Sequence, residues 1–289
     1  MSKLFRTIGG AAYAVMLATS APAMVVTPTT NGTTLGTALG GGGGLTINSV
    51  SVANGADAQF GTYTGFTSPP VTIGDGIVLS SGDAADTTAA FHSSSGLPST
   101  DEGQTGTTEF DAYGPTHITN FSSSNDVAAL TVNFTLAAPS QVGFNFIFGS
   151  VEFPVFTSDF TDAFLAFLDG KGTANQVVFD ASNQAVQVGG SFASALTTAD
   201  TNSAFSDPHG LVKLQTFTNV LSAGAHTLTF EVGDVNDHVL DSAAFISDLH
   251  AGQGTVGTGT GGAVPEPASV GLVGIGIAGL LWARRKLVS

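Results

Sequence analysis

Ala128-Ala129-Leu130-Thr131-Val132-Asn133-Phe134-Thr135-Leu136 is followed, after Ala137-Ala138-Pro139-Ser140, by Gln141-Val142-Gly143-Phe144-Asn145-Phe146-Ile147-Phe148. Leu130, Val132, Phe134 and Leu136 recur at every second position, as do Val142, Phe144, Phe146 and Phe148. A period of two sets each group on one face of an extended strand. Most alternate positions are small or polar, so each strand has one face to bury. The intervening Ala137-Ala138-Pro139-Ser140 predicts a turn that joins the two strands into a hairpin.

Working outward, further strands are expected at Val71 to Leu79, Ala163 to Leu168, Gln176 to Phe179, Val212 to Phe217, His226 to Val232 and Ala243 to Ile246. Gly, Ser, Asn and Asp separate them, and no segment before the C-terminal tail has sustained helical periodicity. Twenty-one phenylalanines against three tyrosines and one tryptophan suit the inside of a sandwich better than a ligand-binding aromatic platform. The expected fold is all-β, an antiparallel β-sandwich of jelly-roll-like kind. Residues 45–250 form it as one domain, 24–44 are a flexible Thr/Gly-rich leader, and 251–263 are a Gly/Thr linker. Between Asp83 and Asp126 the chain is rich in Ser, Thr, Gly and Asp and reads as a long surface excursion.

Two basic residues, Lys171 and Lys213, and twenty-one acidic ones lie between Met24 and Val264, a formal charge of −19. Such a surface has nothing with which to displace counterions from nucleic acid, and it repels anionic lipid. Divalent cations and neutral polymers are the partners it favours. Cysteine is absent, which excludes disulfides and thiolate metal sites.

The two ends carry their own signals. Lys3 and Arg6 precede an almost uncharged stretch and then Ala21-Pro22-Ala23, a small-x-small site, so residues 1–23 are expected to be a signal peptide removed by signal peptidase. An uncleaved anchor is the alternative, but the apolar part falls short of the ~20 residues a spanning helix needs. At the other end Val264-Pro265-Glu266-Pro267 precedes an uncharged run from Ala268 to Ala283 and the basic stop Arg284-Arg285-Lys286. Sixteen residues of helix reach about 24 Å, a little under the ~30 Å hydrocarbon core, so a single C-terminal transmembrane helix is expected in a thin or thinned bilayer. The basic stop would stay cytoplasmic.

Motif, span and basic cluster together resemble the PEP-CTERM sorting signal of Gram-negative bacteria, also described as an ice-binding protein C-terminal domain. The resemblance covers residues 264–289. It implies that an exosortase-like transpeptidase reads Pro265, Glu266 and Pro267, cuts near them and passes the protein to the surface or matrix. An ordinary C-terminal anchor is the alternative.

Inside the domain two acidic segments stand out. Phe146-Ile147-Phe148-Gly149-Ser150-Val151-Glu152-Phe153-Pro154 runs on to Asp159-Phe160-Thr161-Asp162-Ala163-Phe164, and later comes Gly233-Asp234-Val235-Asn236-Asp237-His238-Val239-Leu240-Asp241-Ser242. With Gly76-Ile77-Val78-Leu79-Ser80-Ser81-Gly82, these segments resemble the choice-of-anchor L domain of bacterial surface proteins, from about Gly76 to Asp248. The family's Ser-Glu-Glu-Tyr-like turn reads Ser150-Val151-Glu152-Phe153 here, and its Phe-Asn-Asp reads Phe160-Thr161-Asp162. The late Asp241-Ser242 is intact. The loss of one carboxylate to Val151 and of Asn to Thr161 makes any site the family builds there weaker or structural in this chain.

If both loops lie at one end of the sandwich, Glu152, Asp162, Asp234, Asp237 and Asp241 converge, and with Asn236 nearby they would suit calcium, which takes six to eight oxygens. Solvated loop acids with Asx turns are the alternative. An EF-hand is excluded, since counting from Asp234 puts Val239 at the loop glycine and Phe245 at the bidentate acid.

No G-x-S-x-G, H-E-x-x-H, P-loop or Rossmann pattern occurs, and the six histidines are dispersed. The expectation is a non-catalytic exported surface or extracellular-matrix protein that contributes to envelope or exopolysaccharide structure, as in a biofilm. A carbohydrate- or ice-binding module is the alternative, although only Tyr63 and Tyr113 remain as sugar-stacking rings and the threonines cluster in linkers. A secreted hydrolase using Glu152 and Asp162 is the third reading.

Overall fold

The structure is a computed structural model, and it describes residues 23–68, 71–89, 97–180, 184–188, 201–205, 210–254 and 257–259. The expected signal peptide up to residue 22 and the expected transmembrane span of the tail lie outside the described residues. Among the described residues no helix is long and apolar enough to cross a membrane.

Along the chain come β1 (Val25–Pro28), α1 (Gly32–Leu39), β2 (Leu45–Asn54), β3 (Phe60–Thr64), β4 (Thr67–Ser68), β5 (Val71–Thr72) and β6 (Gly76–Ser80). They are followed by α2 (Thr108–His117), β7 (Ser124–Leu136), β8 (Gln141–Ser150), β9 (Ala163–Leu168) and β10 (Val186–Gln187). The last four strands are β11 (Gly210–Phe217), β12 (Gly224–Val235), β13 (Ser242–Gly252) and β14 (Gly257–Gly259). A seven-stranded sheet has the order β1-β3-β6-β13-β8-β11-β14, a five-stranded sheet the order β10-β9-β12-β7-β2, and β4 pairs with β5 alone. All of these pairings are antiparallel, as expected for the sandwich.

The expected hairpin is not formed. β7 lies between β12 and β2 in one sheet, and β8 between β13 and β11 in the other. Ala137 to Ser140 therefore cross the sandwich, tied by the Ala137 N–H to the Gly44 carbonyl and the Ser140 N–H to the Leu221 carbonyl. Alternation identifies which face of a strand is buried; it does not say which sheet the strand joins. Leu130, Val132, Phe134 and Leu136 instead face Val142, Phe144, Phe146 and Phe148 across one core. At its centre Phe230 meets Phe144 edge-on with ring centroids 5.1 Å apart, and Phe146 meets Phe164 at 5.0 Å.

Both outer faces are also partly covered. Ile147, Phe245, Val78 and Tyr63 of the larger sheet lie under Phe66 and Phe205. Ala129, Leu165 and Phe167 of the smaller sheet lie under Phe110 and Tyr113 of α2. Burial on two faces removes the need for alternation, which is why β9 reads Ala-Phe-Leu-Ala-Phe-Leu without a polar residue.

Four further expectations are corrected. Residues 24–44, expected as a flexible leader, begin with buried Met24, then β1 paired to β3, then α1, whose Leu35 and Leu39 enter the core. Asn31 caps α1, its Oδ1 accepting the Thr34 N–H at 3.0 Å. The excursion from Asp83 to Asp126 contains α2, started by Thr107 and nailed down by fully buried Phe110. The linker 251–263 is in part structured, since β13 runs to Gly252 and β14 adds an edge strand beside β11. Gln176 to Phe179 make only isolated bridges, Phe167 to Gln176 and Phe179 to Ala185, instead of a strand.

Glu231 sits beneath α2 on β12, fully buried, with Oε2 accepting the Thr107 hydroxyl at 2.7 Å and Oε1 without a partner. Burial pushes its carboxyl from 4.5 up to about 7, against the pull of Thr107. The folded state thus disfavours the ionised form, and stability falls as pH rises from about 4.5 to about 7. Glu231→Gln is expected to be neutral near pH 5 and stabilising by roughly 2–3 kcal/mol at pH 8. Urea midpoints at the two pH values measure it; an equal shift at both would contradict this account.

Candidate functional site

The inward-facing rows of the core strands are apolar along most of their length and turn acidic at one end. In β12 the row Leu228, Phe230, Val232 continues to Asp234, and in β9 the row Ala166, Phe164 continues back to Asp162. In the opposite sheet Phe144, Phe146 and Phe148 lead to Ser150, and Ile246 and Ala244 lead back to Ser242. Ser242 pairs with Ser150 and Ala243 with Ser80, while Gly233 pairs with Ala163. The loops 151–162 and 236–241 therefore share one end of the sandwich, and the Val151 N–H donates to the Asp241 carbonyl at 3.4 Å.

Glu152, Asp162, Asp234 and Asp241 are buried there, each at most 1 % exposed, and Asp237 is half-buried beside them. Asp162 is held at both oxygens: Oδ1 accepts the Val235 N–H at 3.0 Å and Oδ2 the Ser242 hydroxyl at 2.7 Å. Asp241 accepts the Thr100 N–H, at 3.0 Å to Oδ1 and 3.3 Å to Oδ2. Gly82 leaves room for that carboxylate, since a Cβ there would lie 2.0 Å from Asp241 Oδ2. Ser81 accepts the Ser242 N–H at 3.0 Å and faces Asp234. No oxygen of Glu152 or Asp234 reaches hydrogen-bonding geometry with a partner, although the Ser81 hydroxyl offsets part of the Asp234 charge and the Asp162 N–H part of the Glu152 charge.

Such burial is costly for charge. Desolvation, then Asp162 and Asp237, push the Glu152 carboxyl far up. Desolvation raises Asp162 against the hydrogen bonds from Ser242 and Val235. Asp234 is raised by burial and then by Asp162, Asp241 and Glu152. Asp241 reaches about 7 through burial, with Asp162, Asp86 and Asp83 adding to it against Thr100. Asp237 is raised chiefly by burial. Among the described residues none of the five forms an ion pair.

Asn236, expected as a nearby ligand, serves a different purpose. Its Nδ2 donates to the Asn120 and Asp159 carbonyls and its Oδ1 accepts from Ser122, so it staples three loops together. The sequence brought Ser81, Gly82, Ser150 and Ser242 into view as parts of the family's segments, without the contacts they make here. Sequence reasoning missed an outer group. Asp101, Asp126 and His238 bring one ligand atom each within 4.8 Å of one another, which, among the described residues, the five acids do not. The Asp126 carboxylate already accepts the Glu102 and Gln104 N–H groups and contacts His238 Nδ1 at 2.8 Å. We regard this trio as a hydrogen-bonded tie of the 101–126 segment, because Asp126 has two backbone donors and a histidine to satisfy it.

Glu152 and Asp162 lie too deep for a polymer to reach, and a groove of about 600 Å³ between α1 and β2 is lined by Thr, Asn, Ser, Gly and aliphatic residues, with no acid and no ring. Ala21 and the tail residues Val264, Pro265, Glu266, Pro267, Arg284, Arg285 and Lys286 lie outside the described residues, and Ala23 is the first described residue, exposed at the edge of the fold.

Comparison with known proteins gives two family matches. A choice-of-anchor L domain is matched over residues 33–249, and a PEP-CTERM protein-sorting motif over residues 263–286. No curated protein and no solved structure matches the chain. The domain match begins inside α1, in keeping with the place of that helix in the core. Sorting motif and domain together mark an exported cell-surface protein that is processed by an exosortase-type system. Since the domain match spans most of the chain and contains both acidic loops described above, the chain belongs to the choice-of-anchor L family.

Proposed function

We propose that this chain is a non-catalytic structural element of the envelope or exopolysaccharide matrix of a Gram-negative bacterium, inserted by its tail only in transit. The observation that carries the non-catalytic reading is the burial of its acids. Glycoside hydrolysis needs two carboxylates flanking an accessible bond, and Glu152 and Asp162 are at most 1 % exposed. Cleavage after Ala23 would start the mature chain at Met24, which is the first residue of the core and lies 5 % exposed. The formal charge of −19 between Met24 and Val264 favours neutral or cation-bridged polymers as neighbours.

Cell fractionation tests the transit reading. The full chain is expected in the surface or matrix fraction, and a chain lacking residues 264–289 in the soluble fraction. Equal membrane association of the two would contradict it. Hydrolytic activity on exopolysaccharide that disappears in Glu152→Gln, with the fold intact, would contradict the non-catalytic reading.

A further inference from the structure

We infer that the Glu152, Asp162, Asp234 and Asp241 carboxylates, with Asp237 at the mouth, hold one calcium ion that ties the two sheets together at this end of the sandwich. The inference goes beyond surface display and does not depend on it.

Two independent observations converge. The first is placement: the acids come from both sheets, Asp162 and Asp234 from the ends of β9 and β12, and Glu152 and Asp241 from the loops beside β8 and β13. The second is the state of the side chains. All four oxygens of Glu152 and Asp234 are buried and without a partner, whereas buried polar groups in folded proteins are almost always paired. Both side chains approach the Asp162 carboxyl, which raises each of them, so the unpartnered groups border the same acid.

Something positive must balance these groups, or protons must. Among the described residues none of the five forms an ion pair, and Lys171 is engaged by Glu109 at 3.3 Å. The donors on hand are carboxylate and serine oxygens, the chemistry of a hard cation, and the His238 ring beside Asp237 is engaged by Asp126 at 2.8 Å. Calcium fits better than magnesium because it accepts irregular sets of six to eight oxygens and sheds its water readily. Closure around the ion requires rotation of Glu152 and Asp234, and neither has a hydrogen bond to break. Asp162 and Asp241 are already fixed by Ser242, Val235 and Thr100 and provide the rigid half.

The test uses the full chain in detergent, stripped with chelator, with calcium chloride alone as the probe. One calcium per chain is expected by calorimetry, with a Kd of about 10⁻⁴ to 10⁻³ M, the range of extracellular modules. At 5 mM calcium the Tm should rise by roughly 3–8 °C. Asp234→Asn keeps the shape and removes one buried charge, so it should fold, melt above the stripped parent, and bind calcium at least tenfold more weakly. Asp101→Asn, in the outer trio, should keep the full response. Four results would overturn the inference: no heat and an unmoved Tm, parental affinity in Asp234→Asn, loss of the response in Asp101→Asn alone, or an equal response to magnesium at matched ionic strength.

Discussion

Gly82→Ala should destabilise the protein by about 3–5 kcal/mol, as one methyl group is placed against a buried carboxylate. The added Cβ would lie 2.0 Å from Oδ2, 2.4 Å from Cγ and 2.7 Å from Oδ1 of Asp241. Asp241 has no free direction in which to retreat. Its carboxylate is fully buried and accepts the Thr100 N–H, and the residue precedes β13, which pairs with β6 just before Gly82. Either the Thr100 bonds break and a carboxylate is left buried without its donor, or the Ser80–Ala243 end of the β6–β13 pair opens. In an Asp241→Ala background those three nearest atoms are gone, so the cost of Gly82→Ala should drop to about 1 kcal/mol or less. A double-mutant cycle by urea denaturation measures that coupling. Additive effects would mean that the two residues do not meet as described.

Phe230→Ala should cost a similar amount, about 3–5 kcal/mol, for a different reason. Phe230 lies on β12, flanked within its sheet by β7 and β9, and is fully buried. It meets Phe144 of the opposite sheet edge-on at 5.1 Å and stacks near Phe164 at 6.2 Å. Strands flanked on both sides cannot close in, so the cavity left by the ring should persist. For a domain of this size the loss corresponds to a fall in Tm of roughly 8–15 °C. Phe156, 39 % exposed in the loop after β8, supplies the control, and Phe156→Ala should cost under about 1 kcal/mol. Similar losses in both variants would show that the inter-sheet phenylalanines do not dominate the core.

Much of the sandwich was legible because strand alternation is a local property. The faces of β7 and β8, the limits of β9 and the inside location of the phenylalanines follow from residue spacing alone. Partner choice is not local, which is why Ala137 to Ser140 read as a hairpin turn and in fact cross between sheets. The Thr- and Gly-rich start of the domain was misread for a related reason. α1 has only Leu35 and Leu39 to bury in eight residues, too few for a periodic signal, and it is held by its Asn31 cap and by the core. α2 contains Gly114 and Pro115, poor helix formers, and depends on Thr107, Phe110 and Tyr113.

The acids at the end of the sandwich were legible in part. Their convergence was read only on the condition that both loops share one end, while the parity of the inward rows was there to be read: Asp162 stands two residues before Phe164, and Asp234 two after Val232. What could not be read was depth. Loop acids are usually solvated, and only the covering by Thr100, Ser81, Ser242 and the 151–160 loop makes these buried. That covering draws on separate segments between Ser81 and Ser242. Depth is also what separates a hydrolase from an inert module here, since the same residues at the surface would invite a catalytic reading.

The account's central claim is that the sandwich is the delivered product and both chain ends are temporary. The most direct test is the intact mass of the protein extracted from the cell surface or matrix. The account predicts a chain that begins at Met24 and lacks Ala268 to Ser289. A mass that includes the apolar run and Arg284-Arg285-Lys286 would contradict it and make the tail a permanent anchor.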